Sequence, residues 1–370
     1  MKKLIAIVLA LVLLVAFAAP VMATDVDTEV TVASGTGSAP IVKCKWEAEP
    51  NSPTESGDVG HAIPGTQILP PLVQDATKAI RYYAVVTDEE EMGNLYEVFA
   101  IVYHPSGSPA PYNATDVTWG QYFKYKIVFT KLGHAAAQKT LVNNAYNAGL
   151  ITFNTDYTID EITNAAGTGE LDKTTADLWM GEEVIDYEQP AGFYNVDVYA
   201  VDHNNNRSAP LHNQFEYVAT CGIEVDFDAV SYGSVNLGVA KVIAGDLTWN
   251  TPLGANPATV RNIGNTWTHV TIMQDDMTFG KEGAGAGTTY QGASAPNSAQ
   301  SNWNVYFDAK MGTSGTKVYY DPFVTVTLAN WLALSTQDEL DFSICVKNGW
   351  GLHTGTMTLG CTIEPFGPLG

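Results

Sequence analysis

"GFYNVDVYAVDHNNNRSAP", residues 192–210, is the stretch that decides the fold. Tyr194, Val196, Val198 and Ala200 alternate with Asn195, Asp197 and Tyr199. That period of two puts apolar side chains on one face of a β-strand and polar ones on the other. Asp202 to Ser208 then supplies a run of turn-forming polar residues that ends the strand.

The same strand-and-turn rhythm extends outward. Ile41–Trp46, Ile80–Val86, Leu95–His104, Phe123–Thr130 and Asn213–Val218 read as strands, and Glu47–Pro71 as loop. The pattern changes after His134: Leu141, Ala145 and Gly149 are spaced by four, and Ile159–Ile162 and Leu171–Met180 read as short helices. A small helical insertion is therefore expected at about 134–180. Beyond Cys221, seven strands are expected: Ile223–Phe227, Val239–Ile243, His269–Met273, Trp303–Ala309, Val324–Leu328, Leu340–Val346 and Thr356–Ile363. The expected fold is mainly β, with two immunoglobulin-like β-sandwich domains in tandem at 41–218 and 219–370. Asn262–Asn265 should reverse the chain with a residue at positive φ, and Gly233 and Gly238 should permit tight bends. Gly280–Ser301, low in bulk, reads as a mobile loop.

The N-terminus bears on compartment. Lys2 and Lys3, the apolar run Leu4–Phe17 and the small residues up to Ala23 predict a secretory signal peptide over 1–23. A flexible, β-prone arm follows at 24–40. Removing Lys2 and Lys3 takes the formal charge from −22 to −24. So acidic a chain repels nucleic acid and anionic membrane, and no membrane insertion is expected after cleavage. With 45 % apolar residues it can still bury real cores.

Candidate chemistry is sparse. Asp202, Asn204 and Asn206 have the i, i+2, i+4 oxygens that open a calcium loop, but Arg207 stands where such a loop needs glycine. A looser calcium site adding Asp88 is the metal reading and the one cofactor considered. Asn113 and Asn206 open N-x-Ser/Thr glycosylation sequons. For the 202–208 run the order of expectation is turn, then glycan attachment, then metal. The four cysteines, Cys44, Cys221, Cys345 and Cys361, suit two disulfides in a secreted chain, with three possible connectivities. Cys44–Cys221 with Cys345–Cys361 is the favoured pair, although the latter two fall on opposite faces of a hairpin unless a bulge intervenes. The seven histidines never pair at metal spacing, and no hydrolase, phosphate-binding or dinucleotide motif occurs, so no enzyme activity is expected. Among eight tryptophans, Trp249 and Trp267 neighbour turns and are expected to be exposed for stacking on sugars. Trp303, Trp331 and Trp350 lie in or beside strands, where packing in the core is the expectation.

Two local resemblances follow from these motifs. Residues 192–210 resemble the penultimate strand and turn of secreted immunoglobulin-like modules of the polycystic-kidney-domain type. "VSYGSVNLGV" and "NIGNTWTHVTI", within Val230–Ile272, resemble sandwiches of the TasA and camelysin kind found in archaeal and bacterial envelopes, apart from the insertion Gly245–Thr259. They imply a style of extracellular module, while the signal peptide, the two sandwiches, the acidic surface and the β-prone arm lead to the expectation of a non-catalytic, secreted or cell-surface structural glycoprotein. On that reading the chain self-associates, or joins other envelope proteins, into a layer or filament when Asp25–Val32 of the 24–40 arm adds a strand to a neighbour. The alternative is a secreted adhesin or glycan-binding module, and third an accessory domain pair of an extracellular hydrolase.

Overall fold

The computed structural model describes residues 37–50, 66–89, 92–104, 124–282 and 302–364. The expected signal peptide, the arm up to residue 36, most of the 47–71 loop, Asn113 and most of the 280–301 loop lie outside the described residues.

The described residues of the first half form ten strands in two five-stranded sheets. They are β1 (Ile41–Ala48), β2 (Gln67–Ile68), β3 (Thr77–Thr87), β4 (Leu95–Tyr103), β5 (Lys124–Val128), β6 (Thr130–Gly133), β7 (Thr152–Phe153), β8 (Ala176–Asp186), β9 (Gly192–Asp202) and β10 (Leu211–Tyr217). One sheet runs β6-β8-β3-β1-β7 and the other β2-β10-β9-β4-β5. The alternation in β9 does its expected work. Tyr194, Val196, Val198 and Ala200 are buried against Tyr82, Ala84, Val86 and Phe215 in the core between the sheets.

The helical layer covers the outer face of the first sheet. Helices α1 (Ala136–Asn147), α2 (Ile159–Ile162) and α3 (Glu170–Lys173) lie between β6 and β8. Val142, Ala145, Ile162 and Leu171 bury Cys44, Trp46, Tyr83 and Val85 from that side. Strand β1 is thus covered on both faces, and seven of its eight residues are buried. The insertion is shorter than expected, because Ala176–Met180 is strand rather than helix. All eleven residues of β8 pair with β3 from Thr87↔Ala176 to Thr77↔Asp186, and this ladder overrides the local helical signal. Gly181 is fixed by close approach of the second sheet: a Cβ there would lie 2.6 Å from both Ile127 and Phe129 side chains.

The described residues of the second half form nine strands: β11 (Ile223–Val225), β12 (Lys241–Ile243), β13 (Thr259–Asn262), β14 (Thr268–Gln274), β15 (Val305–Met311), β16 (Val318–Tyr320), β17 (Val326–Leu332), β18 (Gln337–Val346) and β19 (Met357–Ile363). A six-stranded sheet built around β18 packs over the three-stranded sheet β17-β14-β19. Phe307, Phe342 and Ile344 from the first meet Val270, Ile272, Leu328 and Leu332 from the second. Strands β13 and β16, four and three residues long, were not expected, because so few residues carry no readable period. The chain is a tandem β-sandwich protein, as the alternating patterns predict.

The junction is built from backbone and asparagine. Asn265 Nδ2 donates to the Val218 carbonyl at 2.9 Å, and its Oδ1 accepts the Thr220 N–H at 2.8 Å. Its carbonyl accepts the Ala191 N–H at 2.9 Å, and its N–H donates to Thr220 at 3.1 Å. The expected positive φ within 262–265 is not found, although Gly233 and Gly238 have it. Gly264 serves another purpose, since a Cβ there would sit 2.4 Å from the Thr220 carbonyl oxygen.

Candidate binding surface

The outer face of the β17-β14-β19 sheet gathers aromatic and polar groups. Residues Trp267, His269 and Thr271 alternate with the buried Thr268, Val270 and Ile272, so period two turns the former outward. The pairing β14–β17 sets His269 opposite Trp331, and β14–β19 sets it opposite Thr362. Trp331 stacks on Trp267 with ring centroids 5.6 Å apart and planes at 16°, and the His269 ring meets Trp331 edge-on. Half of Trp331 remains exposed.

A carboxylate is held beside these rings. His269 directs Nδ1 at the carbonyl oxygens of Leu328, at 3.1 Å, and Asn330, at 2.9 Å. Its Nε2 meets the Glu364 carboxylate. Exposed Thr362 and Thr327 add hydroxyls on the same face. Flat apolar rings next to hydrogen-bonding groups suit a ligand with one apolar and one hydroxylated face.

The tryptophan expectations need correction. Trp331 and Trp350 are 50 % and 93 % exposed rather than packed in a core. Trp331 points outward because its alternation partner Leu332 takes the inward position, and Trp350 lies beyond the end of β18. Trp249 is only partly exposed. The Arg261 guanidinium sits 3.8 Å from its ring centroid and is pinned by two hydrogen bonds to Glu224 Oε2 at 2.8 and 2.6 Å. Trp303 is half-buried, between Lys281 and Phe323. Trp267 is legible as a surface aromatic in the sequence, whereas Trp331, His269 and Glu364 are brought together only by the sheet register.

The other expected site residues are placed as follows. Asp202 is buried and its carboxylate is spent on its own turn: Oδ1 accepts the Asn206 N–H at 2.7 Å and Oδ2 accepts Asn206 Nδ2 at 2.8 Å. Asn205 takes φ +64° at the tip and Asn204 is exposed. The run is an Asx-stabilised turn. Asp88 is buried at the end of β3. Among the described residues no group of three or more His, Cys, Asp or Glu could hold a metal ion. The sequon at Asn206 is folded inward, with Nδ2 also donating to the Gly37 carbonyl at 3.3 Å and the Ser208 hydroxyl buried against the Ala200 N–H.

The four cysteines are all thiols, and the geometry brings together a pair other than those expected. Cys221 lies at the junction and hydrogen-bonds to Cys361 in β19, whose thiol is pushed up to about 12 by burial and then by its neighbour. Cys44 is buried under the helical layer and Cys345 lies against Tyr306; burial raises both thiols. Cys44 packs with Trp46, Tyr83 and Val85 in the cluster of the first sandwich.

No family model matches the chain, and no curated protein is similar to it. The two local resemblances find no support in these comparisons. Solved structures overlap loosely. One is the C-terminal domain of the AgI/II polypeptide BspA of Streptococcus agalactiae, 12 % identical, with 86 % of this chain and 96 % of that one covered and a TM-score of 0.21. Another is a chaperone–tip adhesin complex of CFA/I fimbriae biogenesis, 8 % identical, with 90 % and 94 % covered and a TM-score of 0.24. Overlaps this loose carry no argument about binding. Among the described residues no helix is long and apolar enough to cross a membrane.

Proposed function

We propose that this chain is a secreted, non-catalytic cell-surface protein of adhesin type, whose second sandwich binds carbohydrate through Trp267 and Trp331. The observation that carries this reading is the stacked indole pair on an outward sheet face, Trp331 half exposed and Trp267 partly so, with Glu364 held beside it by His269. Sugar C–H faces pack on indoles, and carboxylate and threonine oxygens accept hydroxyl hydrogens. The net charge of −22 favours neutral over sialylated or sulfated glycans. The signal-type N-terminus supports the outside of the cell as the place of action. Assembly through the 24–40 arm draws mostly on residues outside the described ones.

A glycan array tests the reading. Neutral glycans should bind the whole chain and be lost with Trp331→Ala, while Trp249→Ala keeps them. Binding that survives Trp331→Ala and Trp267→Ala would overturn it.

A further inference from the structure

Lys45 and Glu47 sit two residues apart on β1, so their side chains share the face turned toward the opposite sheet. Both are buried, Lys45 fully. Lys45 Nζ donates to Glu47 Oε1 at 2.9 Å and to the Val196 carbonyl of β9 at 2.8 Å. The other carboxylate oxygen, Oε2, accepts Nδ2 of Asn213 on β10 at 2.6 Å. One carboxyl group thus bridges an amine and a carboxamide inside the first sandwich. The remaining carboxamide oxygen, Asn213 Oδ1, is buried without a hydrogen-bond partner.

A buried ion pair with a half-satisfied amide beside it is a costly way to hold two sheets together. The chemistry available to these three groups offers a different end state. Burial holds the Lys45 ammonium below its ordinary range, with the charges of Glu47 and Asp197 opposing. A neutral amine is therefore within reach, and a neutral lysine amine is a nucleophile.

We propose that Lys45 and Asn213 join in an intramolecular amide bond, with Glu47 as the acid–base catalyst, so that β1 is covalently tied to β10. The Nζ lone pair attacks Cγ of Asn213, and the carbonyl oxygen Oδ1 takes the charge of the tetrahedral intermediate. Glu47 removes a proton from Nζ through Oε1 and delivers one to Nδ2 through Oε2. The Cγ–Nδ2 bond breaks and ammonia leaves. One C–N bond forms and one breaks; nothing is oxidised or reduced, and no co-reactant is needed. The carboxyl group already contacts both nitrogens between which it must move protons.

The position of the bond matters for a surface protein. Strand β1 opens the first sandwich and β10 closes it. Tension applied between the chain before Ile41 and the chain after Tyr217 would run through the cross-link rather than through strand hydrogen bonds.

Mass spectrometry of the purified full chain under denaturing conditions tests the proposal. The intact mass should be lower than that of the sequence by one ammonia. Trypsin should fail to cut after Lys45, and tandem spectra should show the Lys45 peptide branched to the Asn213 peptide. Lys45→Met and Asn213→Ala should restore the full mass, and Glu47→Gln should restore it in most molecules. Full mass in the native sequence, with cleavage after Lys45, would overturn the proposal. So would ammonia loss without the branched peptide, which would mean cyclisation of an asparagine elsewhere. The native-sequence spectrum decides the matter even where a variant fails to fold.

Discussion

Trp331 stacks on Trp267 across two neighbouring strands, and His269, directly opposite Trp331 in the ladder, closes the edge of the pair. The arrangement depends on register: a shift of one residue in β14 would turn Trp267 and His269 inward. Replacing Trp331 by alanine should weaken carbohydrate binding at least tenfold, about 1.4 kcal/mol. Because the ring is half exposed, the melting temperature should move little. Isothermal titration with the best array ligand, beside a thermal melt, separates these effects, and a folded Trp331→Ala chain of unchanged affinity would count against the surface.

Asn265 should govern how the two sandwiches are joined. Its side chain serves the Thr220 N–H and the Val218 carbonyl in a buried setting. Asn265→Ala removes the acceptor of the Thr220 N–H, while the Val218 carbonyl keeps the Thr220 hydroxyl at 3.2 Å, so the cost should be about 1 to 3 kcal/mol for the one unsatisfied donor. Calorimetry should show a lower first transition, and two separated transitions where the native chain has more overlapping ones. An unchanged thermogram would show that the junction does not rest on this residue.

Much of this architecture was legible in the sequence, and the reasons for the failures are physical. Strand β9 was plain because one face is core and the other solvent. Strand β1 hid its chemistry because both faces are buried: Lys45 and Glu47 look like a solvated polar face in sequence, and only the helical layer over Cys44 and Trp46 reveals that they point into the core. Asn213 lies more than one hundred and sixty positions away from Glu47, beyond any spacing rule. The tryptophan expectation inverted Trp331 because alternation identifies two faces and does not say which of them is inward. The helical reading of Leu171–Met180 failed at Ala176, where a long ladder outweighs local preference.

Cys221 and Cys361 should form the chain's disulfide in an oxidising medium. Passing two electrons and two protons to a disulfide oxidant such as oxidised glutathione would link the junction to the last strand and stabilise the second sandwich by about 2 to 4 kcal/mol. Alkylation of the denatured, unreduced chain should label Cys44 and Cys345 alone. Labelling of all four, or a Cys44–Cys221 peptide, would contradict the geometry.

His104 should give the fold an acid-side weakness. It is buried edge-on against Tyr194, close beneath Gly192, and burial lowers its proton affinity, partly opposed by the Ala191 carbonyl at 3.3 Å. The unfolded chain therefore takes up a proton that the folded chain refuses. Stability should fall as pH drops through the ordinary histidine range near about 6.5, levelling only below the depressed folded value. Melts at about pH 7.5 and 5.5 should differ less in His104→Gln than in the native sequence. Equal differences would assign the pH dependence to another group.

The most direct measurement of the central claim is a carbohydrate titration followed through the assigned indole N–H resonances of the whole chain. Trp267 and Trp331 should shift together and saturably, while Trp46, buried, and Trp249, covered by Arg261, stay in place. Shifts confined to Trp350, or no saturable shift with any neutral glycan, would contradict the account.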